Sequence, residues 1–251
     1  MKKIYFVTDA HFGAKNGDGG AAERKLVRFL KSVKDDCQAL YLMGDMIDFW
    51  YEYPHLVPKG YVRFFAQLAD FTDAGIPVYW FAGNHDVWLY SYVQQELGVQ
   101  VVTQPLLTEL MGKKFFLAHG DGLGDPSFGV KILTWFFHNP VTQWLFTHVF
   151  PTDAGMRLGL AWSHHSYEKR KKSQQASFLG EDREHLIAFA KQYVKAHSDD
   201  VPDYFLFGHR HIVLEFELAC GSRLVIPGDW MTAFSYAVFD GEQLYVDFFE
   251  A

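Results

Sequence analysis

The sequence predicts a mixed α/β fold in which two sheets pack together with helices outside. Three observations carry that prediction. Short apolar runs alternate with amphipathic segments through the first 125 residues, as in layered α/β proteins. From Val213 onward the pattern turns strand-rich, with Asp240-Gly241 as a hairpin signal between the last two runs. Between these parts lies a stretch that is aromatic and poor in charge.

The elements follow in order. Residues 4–7, Ile-Tyr-Phe-Val, form a first strand that stops at Thr8-Asp9. A signal peptide needs an apolar region of at least ~7 residues, so this run is not one. Residues 21–34 place Leu26, Val27, Leu30 and Val33 at helical spacing. Residues 39–43 make a second strand. Residues 61–74 make a second helix, closed by Gly75 and followed by Pro77. Strands follow at 78–81, 115–118 and 204–207, then at 214–219, 223–226, 235–239 and 244–249.

Residues 126–167 hold three charged side chains, Lys131, Asp153 and Arg157. Average composition would put about 9 in such a length. The stretch carries Phe128, Trp135, Phe136, Phe137, Trp144, Phe146, Phe150 and Trp162, and Pro140 and Pro151 cut it into short helices. It interrupts the α/β pattern. We expect a core of residues 1–125 and 176–251 and a helical cap, or lid, of residues 126–175. A basic cluster, Glu168-Lys169-Arg170-Lys171-Lys172, lies at its end.

Charge and cysteine content exclude several classes. The net charge of -7 argues against a nucleic-acid surface. The two cysteines, Cys37 and Cys220, match no thiolate zinc spacing, and reduced core thiols fit a cytoplasmic location. No run reaches the ~18 apolar residues of a spanning helix, so the expectation is a soluble or membrane-associated protein.

Five apolar runs each end in a polar motif. They lead to Asp9-Ala10-His11, Gly44-Asp45-Met46-Ile47-Asp48, Gly83-Asn84-His85-Asp86, His119-Gly120-Asp121 and Gly208-His209-Arg210-His211. Sites in open α/β sheets gather at the carboxyl ends of strands, so the five should converge on one sheet edge. Asp, His and Asn without Cys form a borderline-hard ligand set suited to manganese, iron or zinc. Such a set can hold two ions ~3.5–4 Å apart and supply a hydroxide nucleophile. One oxygen must then bridge, and Asp45 is the candidate.

The ordered series resembles the calcineurin-like metallophosphoesterases, whose motifs are all present between residues 9 and 211. The resemblance implies a β-sandwich flanked by helices and a hydrolase with two divalent metal ions, usually manganese. It implies a first metal held by Asp9, His11, Asp45 and His211, and a second held by Asp45, Asn84, His119 and His209. His85 resembles the family's catalytic histidine, oriented by Asp86.

The His-Gly-Asp followed by a helical insertion further resembles the UDP-2,3-diacylglucosamine diphosphatases (hydrolases) of lipid A biosynthesis. The segment Gly44-Asp45-Met46-Ile47-Asp48-Phe49-Trp50 and the late Pro227-Gly228-Asp229-Trp230 support this. In the best-known branch of these enzymes an Arg stands where this chain has His85. That resemblance implies cleavage of a lipid-linked nucleotide pyrophosphate to UMP and a lipid monophosphate, at the cytoplasmic face of the inner membrane. It implies substrate contacts from Asn84, His85, Asp125, Ser163, Tyr167, Arg170 and His209. The alternative is a phosphoesterase of the same superfamily acting on a soluble phosphoester or nucleotide.

Overall fold

Apolar runs too short for a buried helix become strands with both faces covered. The first sheet is built from β1 (Lys3–Val7), β2 (Cys37–Leu42), β3 (Val78–Phe81), β4 (Gln100–Val102), β10 (Ser235–Phe239) and β11 (Leu244–Phe248). Its order is β11-β10-β1-β2-β3-β4. The strands from β1 to β4 run parallel, and β10 lies antiparallel to β1 with Ile4 opposite Phe239. The second sheet takes β5 (Leu106–Leu110), β6 (Lys113–Ala118), β7 (Tyr204–Phe207), β8 (Val213–Glu217) and β9 (Arg223–Pro227). Its order is β5-β6-β7-β9-β8, with β6, β7 and β9 parallel. This computed structural model describes residues 2–14, 20–124, 135, 137, 139–149, 151–172 and 177–250, with backbone alone for 165–172.

Side-chain alternation builds the layers. From β1, Ile4 and Phe6 enter the core between the sheets, with Tyr41, Phe115, Leu117, Leu206 and Phe239. Tyr5 and Val7 point the other way, into a layer closed by α1 (Ala21–Val33), α2 (Val62–Asp73) and α3 (Tyr92–Leu97). Burial on both faces explains why β1 reads as a continuous apolar run. Helix α1 turns Leu26, Phe29 and Leu30 fully inward, each stabilising by roughly 1.5–3 kcal/mol. The second sheet is covered by α6 (His185–Ala196), whose Leu186, Ile187 and Ala190 meet Phe116, Phe205 and Phe207.

The described part of the aromatic stretch includes helices α4 (Pro140–Val149) and α5 (Thr152–Lys172), with Pro151 immediately before α5. Pro140 opens α4 where its missing N–H costs nothing. Phe137, Phe146, Met156 and Leu160 pack on Phe49, Tyr51, Tyr53 and Trp88 of the core. Trp88 Nε1 donates to the Phe137 carbonyl at 2.8 Å, and Tyr51 Oη to that of Gln143 at 3.1 Å. The expected cap boundaries, 125/126 and 175/176, lie outside the described residues.

The five motifs do not share one sheet edge, as the sequence led us to expect. Three follow β1, β2 and β3 of the first sheet, and two follow β6 and β7 of the second. The carboxyl ends of the two sheets meet across the sandwich, so the motifs still converge.

Candidate metal centre

The chain turns sharply at each strand end. Among described non-glycine residues eight have positive φ, and five of them are Asp9 (53°), His11 (42°), Asp45 (53°), His209 (66°) and His211 (53°). Such backbone costs about 1–3 kcal/mol per residue and persists only where the surroundings over-determine it. Here long-range bonds do so: Asp9 N–H donates to the Gly44 carbonyl at 3.1 Å, and His11 N–H to that of Asp45 at 2.9 Å. The glycines interlock the motifs. A Cβ at Gly44 would strike the His119 ring, one at Gly83 the Asp45 carboxylate, and one at Gly208 the Thr8 hydroxyl.

Asp9 and Asp45 share one pattern, with one oxygen anchored and the other aimed inward. Asp9 Oδ2 accepts from Thr8 Oγ1 at 2.5 Å and from the His209 N–H at 2.9 Å. Asp45 Oδ1 accepts from the His85 N–H at 2.8 Å. Asp9 Oδ1 and Asp45 Oδ2 are buried and accept no hydrogen bond.

The imidazoles repeat the pattern through Nδ1. His119 Nδ1 donates to the Met43 carbonyl at 2.8 Å. His11 Nδ1 lies 3.3 Å from Asp48 Oδ1, and His211 Nδ1 lies 3.5 Å from Asp229 Oδ2. Anchoring Nδ1 selects the tautomer that presents Nε2, as in metal-bound histidines. His211 Nε2 lies 3.3 Å from Asp9 Oδ1. Asp45 Oδ2 sits between His11 Nε2 at 3.6 Å and His119 Nε2 at 3.3 Å.

Two sets therefore converge, Asp9-His11-His211 and Asp45-His119-His209, each with ligand atoms within 4.8 Å of one another. A third set, His11-Asp48-His85, meets the same limit, but there the Nδ1 atoms face Asp48. Buried acceptors without donors, beside oriented Nε2 atoms, fit divalent cations; they are expensive to leave unpaired otherwise.

Electrostatics agree. Burial penalises the Asp45 carboxylate, yet His119, His85 and His11 hold it well below the usual carboxylate range. Burial also favours neutral His11, but its contact with Asp48 and the charges of Asp9 and Asp45 push it up to about 9. The Asp9 and Asp45 carboxylates, ionised while buried, attract cations, which compete with the proton on His11.

The remaining expected site residues divide. Asn84 is exposed on the turn between Gly83 and His85. His85 is buried, with its Nδ1 donating to the Asp48 carbonyl at 2.9 Å. Ser163 reaches the same nitrogen at 3.1 Å from α5. Asp125, and the side chains of Tyr167 and Arg170, lie outside the described residues.

Asp86 corrects the expectation that it orients His85. Its Oδ1 accepts from the Gly83 N–H at 2.8 Å and the Asp45 N–H at 3.2 Å. Its Oδ2 accepts from the Met46 N–H at 2.9 Å and the Trp80 Nε1–H at 3.0 Å. Both oxygens are thus engaged in fixing the Asp45 turn, and Asp48 meets the His85 ring instead. Sequence reasoning assigned no role to Asp48 or Asp229. Asp48 closes the Gly-Asp-x-x-Asp motif, and a second carboxylate at that spacing was the available signal.

The calcineurin-like phosphoesterase family matches residues 2–213. A UDP-2,3-diacylglucosamine hydrolase of Porphyromonas gingivalis is 38% identical over 261 residues, spanning 99% of this chain and 98% of the relative. A UDP-2,3-diacylglucosamine hydrolase of Actinobacillus succinogenes is 25% identical, spanning 92% of each chain. Among solved structures, an archaeal phosphodiesterase aligns over 98% of both chains with 12% identity and a TM-score of 0.47.

Proposed function

This chain belongs to the calcineurin-like phosphoesterase family of metal-dependent hydrolases, and from that premise we propose that it cleaves the pyrophosphate of UDP-2,3-diacylglucosamine. The products are UMP and 2,3-diacylglucosamine 1-phosphate. The observation that carries the chemistry is Asp45 Oδ2, buried without a donor between His11 Nε2 and His119 Nε2. The substrate rests on near full-length similarity to relatives of that name and on the apolar cap over the site.

In this reading Asp9, His11, Asp45 and His211 would hold one ion, and Asp45, Asn84, His119 and His209 would hold a second. Manganese suits this donor set, as would iron or zinc. When bound, two divalent ions would supply a water of lowered pKa and offset phosphoryl charge. The chain's own residues do the rest. Asp48, Asp229 and the Met43 carbonyl fix the tautomers of His11, His211 and His119. His85 commits its Nδ1 proton to the Asp48 carbonyl, so Nε2 is the atom left to face a phosphoryl or leaving oxygen, to which it donates when the ring carries a second proton. Asp86 acts through the Asp45 turn.

The cap holds the acyl chains, each buried methylene adding ~0.8 kcal/mol. It also faces a membrane. Trp135, Trp144 and Trp162 are 63%, 56% and 54% exposed, beside exposed Val141, Val149 and Leu158. Tryptophan suits a membrane–water interface. Among the described residues no helix is long and apolar enough to cross a membrane. In this reading the cap attaches peripherally, at the cytoplasmic face. Nucleic acid is not a partner in this reading.

The test is direct. Metal-loaded protein is given UDP-2,3-diacylglucosamine and, separately, a soluble model phosphodiester, with UMP release measured on the first. Rapid UMP release is expected. Fast turnover of soluble esters with none of the lipid nucleotide would overturn the substrate assignment.

A further inference from the structure

Helix α5 carries Gly155, Gly159 and Ser163 at spacing four, along one helix face. A Cβ at Gly159 would collide with the Phe49 ring, and one at Gly155 would fall 2.8 Å from Tyr53 Oη and 3.0 Å from the Phe146 ring. Small residues therefore let the α5 backbone lie directly on the loop that follows Gly44-Asp45-Met46-Ile47-Asp48. One turn beyond Gly159, Ser163 is 2% exposed and its Oγ lies 3.1 Å from His85 Nδ1.

These contacts balance in only one way. A carbonyl only accepts, so the 2.9 Å bond to the Asp48 carbonyl places the proton on His85 Nδ1. Ser163 Oγ, 3.1 Å from the same nitrogen, shares that proton as a second acceptor. The imidazole is thus gripped by the core through Asp48 and by the cap through Ser163.

We propose that Ser163 is a positioning residue that couples the seating of cap helix α5 on the core to the orientation of the His85 ring. A cap lifted from Phe49 withdraws Ser163, and the ring keeps only its core-side support. A cap pressed down aligns the ring. Binding between cap and core would then tighten the alignment of His85 as it proceeds, which is a use of remote binding energy at the reacting centre. The proposal rests on the reading of His85 given above, and goes beyond it by giving the cap a part in the chemistry.

The experiment is a double-mutant cycle of Ser163→Ala and His85→Ala, with Ser163→Thr as the hydroxyl-preserving variant. Each metal-loaded variant is assayed on UDP-2,3-diacylglucosamine and on a soluble phosphodiester without acyl chains. Ser163→Ala should lower kcat about 3- to 10-fold on both substrates, the size of one hydrogen bond, with KM within about twofold. Ser163→Thr should recover most of the loss. Adding Ser163→Ala to His85→Ala should cost nothing further. The His85 ring ¹⁵N resonances should move in Ser163→Ala and stay near their wild-type positions in Ser163→Thr. A rise in KM for the lipid substrate alone would make Ser163 a substrate contact and overturn the coupling. So would an undiminished effect in the His85→Ala background. Full activity of His85→Ala would instead overturn the assignment of His85 on which the coupling rests, while a severe His85→Ala loss with unaltered Ser163→Ala would overturn the coupling alone.

Discussion

Glu184→Ala should destabilise the fold and weaken metal binding together. Glu184 is fully buried and grips Arg210 with both oxygens: Nε donates to Oε1 at 2.6 Å and Nη2 to Oε2 at 3.1 Å. Arg210 lies between His209 and His211, both held in left-handed backbone. Removing one partner of such a pair leaves a buried charge and costs about 3–5 kcal/mol. Unfolding entropy near 2.1 cal/mol/K per residue gives about 0.5 kcal/mol/K for a chain this long, so Tm should fall by about 6–10 °C. Thermal melts of metal-free and metal-loaded protein measure this, and calorimetric titration with Mn²⁺ should show weaker binding. Replacing both partners, Glu184→Leu with Arg210→Met, should recover most of the Tm, because apolar packing removes the stranded charge. A single-variant Tm within about 2 °C of wild type, or a double variant less stable than the single, would refute the reasoning.

Other outcomes follow from the same geometry. In metal-free protein His11 stands at about 9, above its ordinary value, so its stabilisation is complete below pH ~6.5 and is lost as pH rises towards 9. Melts across that window should show the decline without metal and not with it, and metal uptake near pH 7.5 should release protons, read by calorimetry in buffers of differing ionisation enthalpy. Gly44→Ala places a methyl group against the His119 ring at a φ of 100°, and should lower metal affinity at least about tenfold with helix content retained by circular dichroism. Native protein should label one thiol, Cys220, because Cys37 is buried and burial pushes its thiol up to about 12; urea should expose a second. Trp144→Glu with Trp162→Glu should reduce co-sedimentation with anionic vesicles while leaving hydrolysis of a soluble diester unchanged.

How much the sequence reveals depends on whether the determinant is local. Residues 78–81, 204–207 and 235–239 are strands in the structure with the bounds their apolar runs suggest. Short or half-exposed elements escape: Gln100–Val102 is too brief for a period, and Tyr92–Leu97 is closed by Gly98 after little more than a turn. Helix α6 was legible in principle, since Leu186, Ile187 and Ala190 fall on one helix face. At the candidate site, residue types and their place after strands are local, so the five motifs could be read. The left-handed backbone of Asp9, His11 and Asp45 is not local, because bonds between separate motifs enforce it. Asp86 misled for the same reason. Adjacency to His85 in sequence suggested a shared task, whereas the side chain turns to backbone donors from residues 45, 46 and 83.

The pairing of β1 with β10 also sets a timetable for synthesis. Ile4 lies opposite Phe239, so at about 5–20 residues per second a ribosome needs roughly 10–50 s between the two partners. Until then β1 presents an open edge that another nascent chain can occupy. Asp9, the earliest translated of the proposed ligands, also waits: its carbonyl is bound by the Trp230 N–H at 3.1 Å. The first residue of the centre to leave the ribosome is therefore among the last to be locked, and ions met earlier by the growing chain find no finished place to bind.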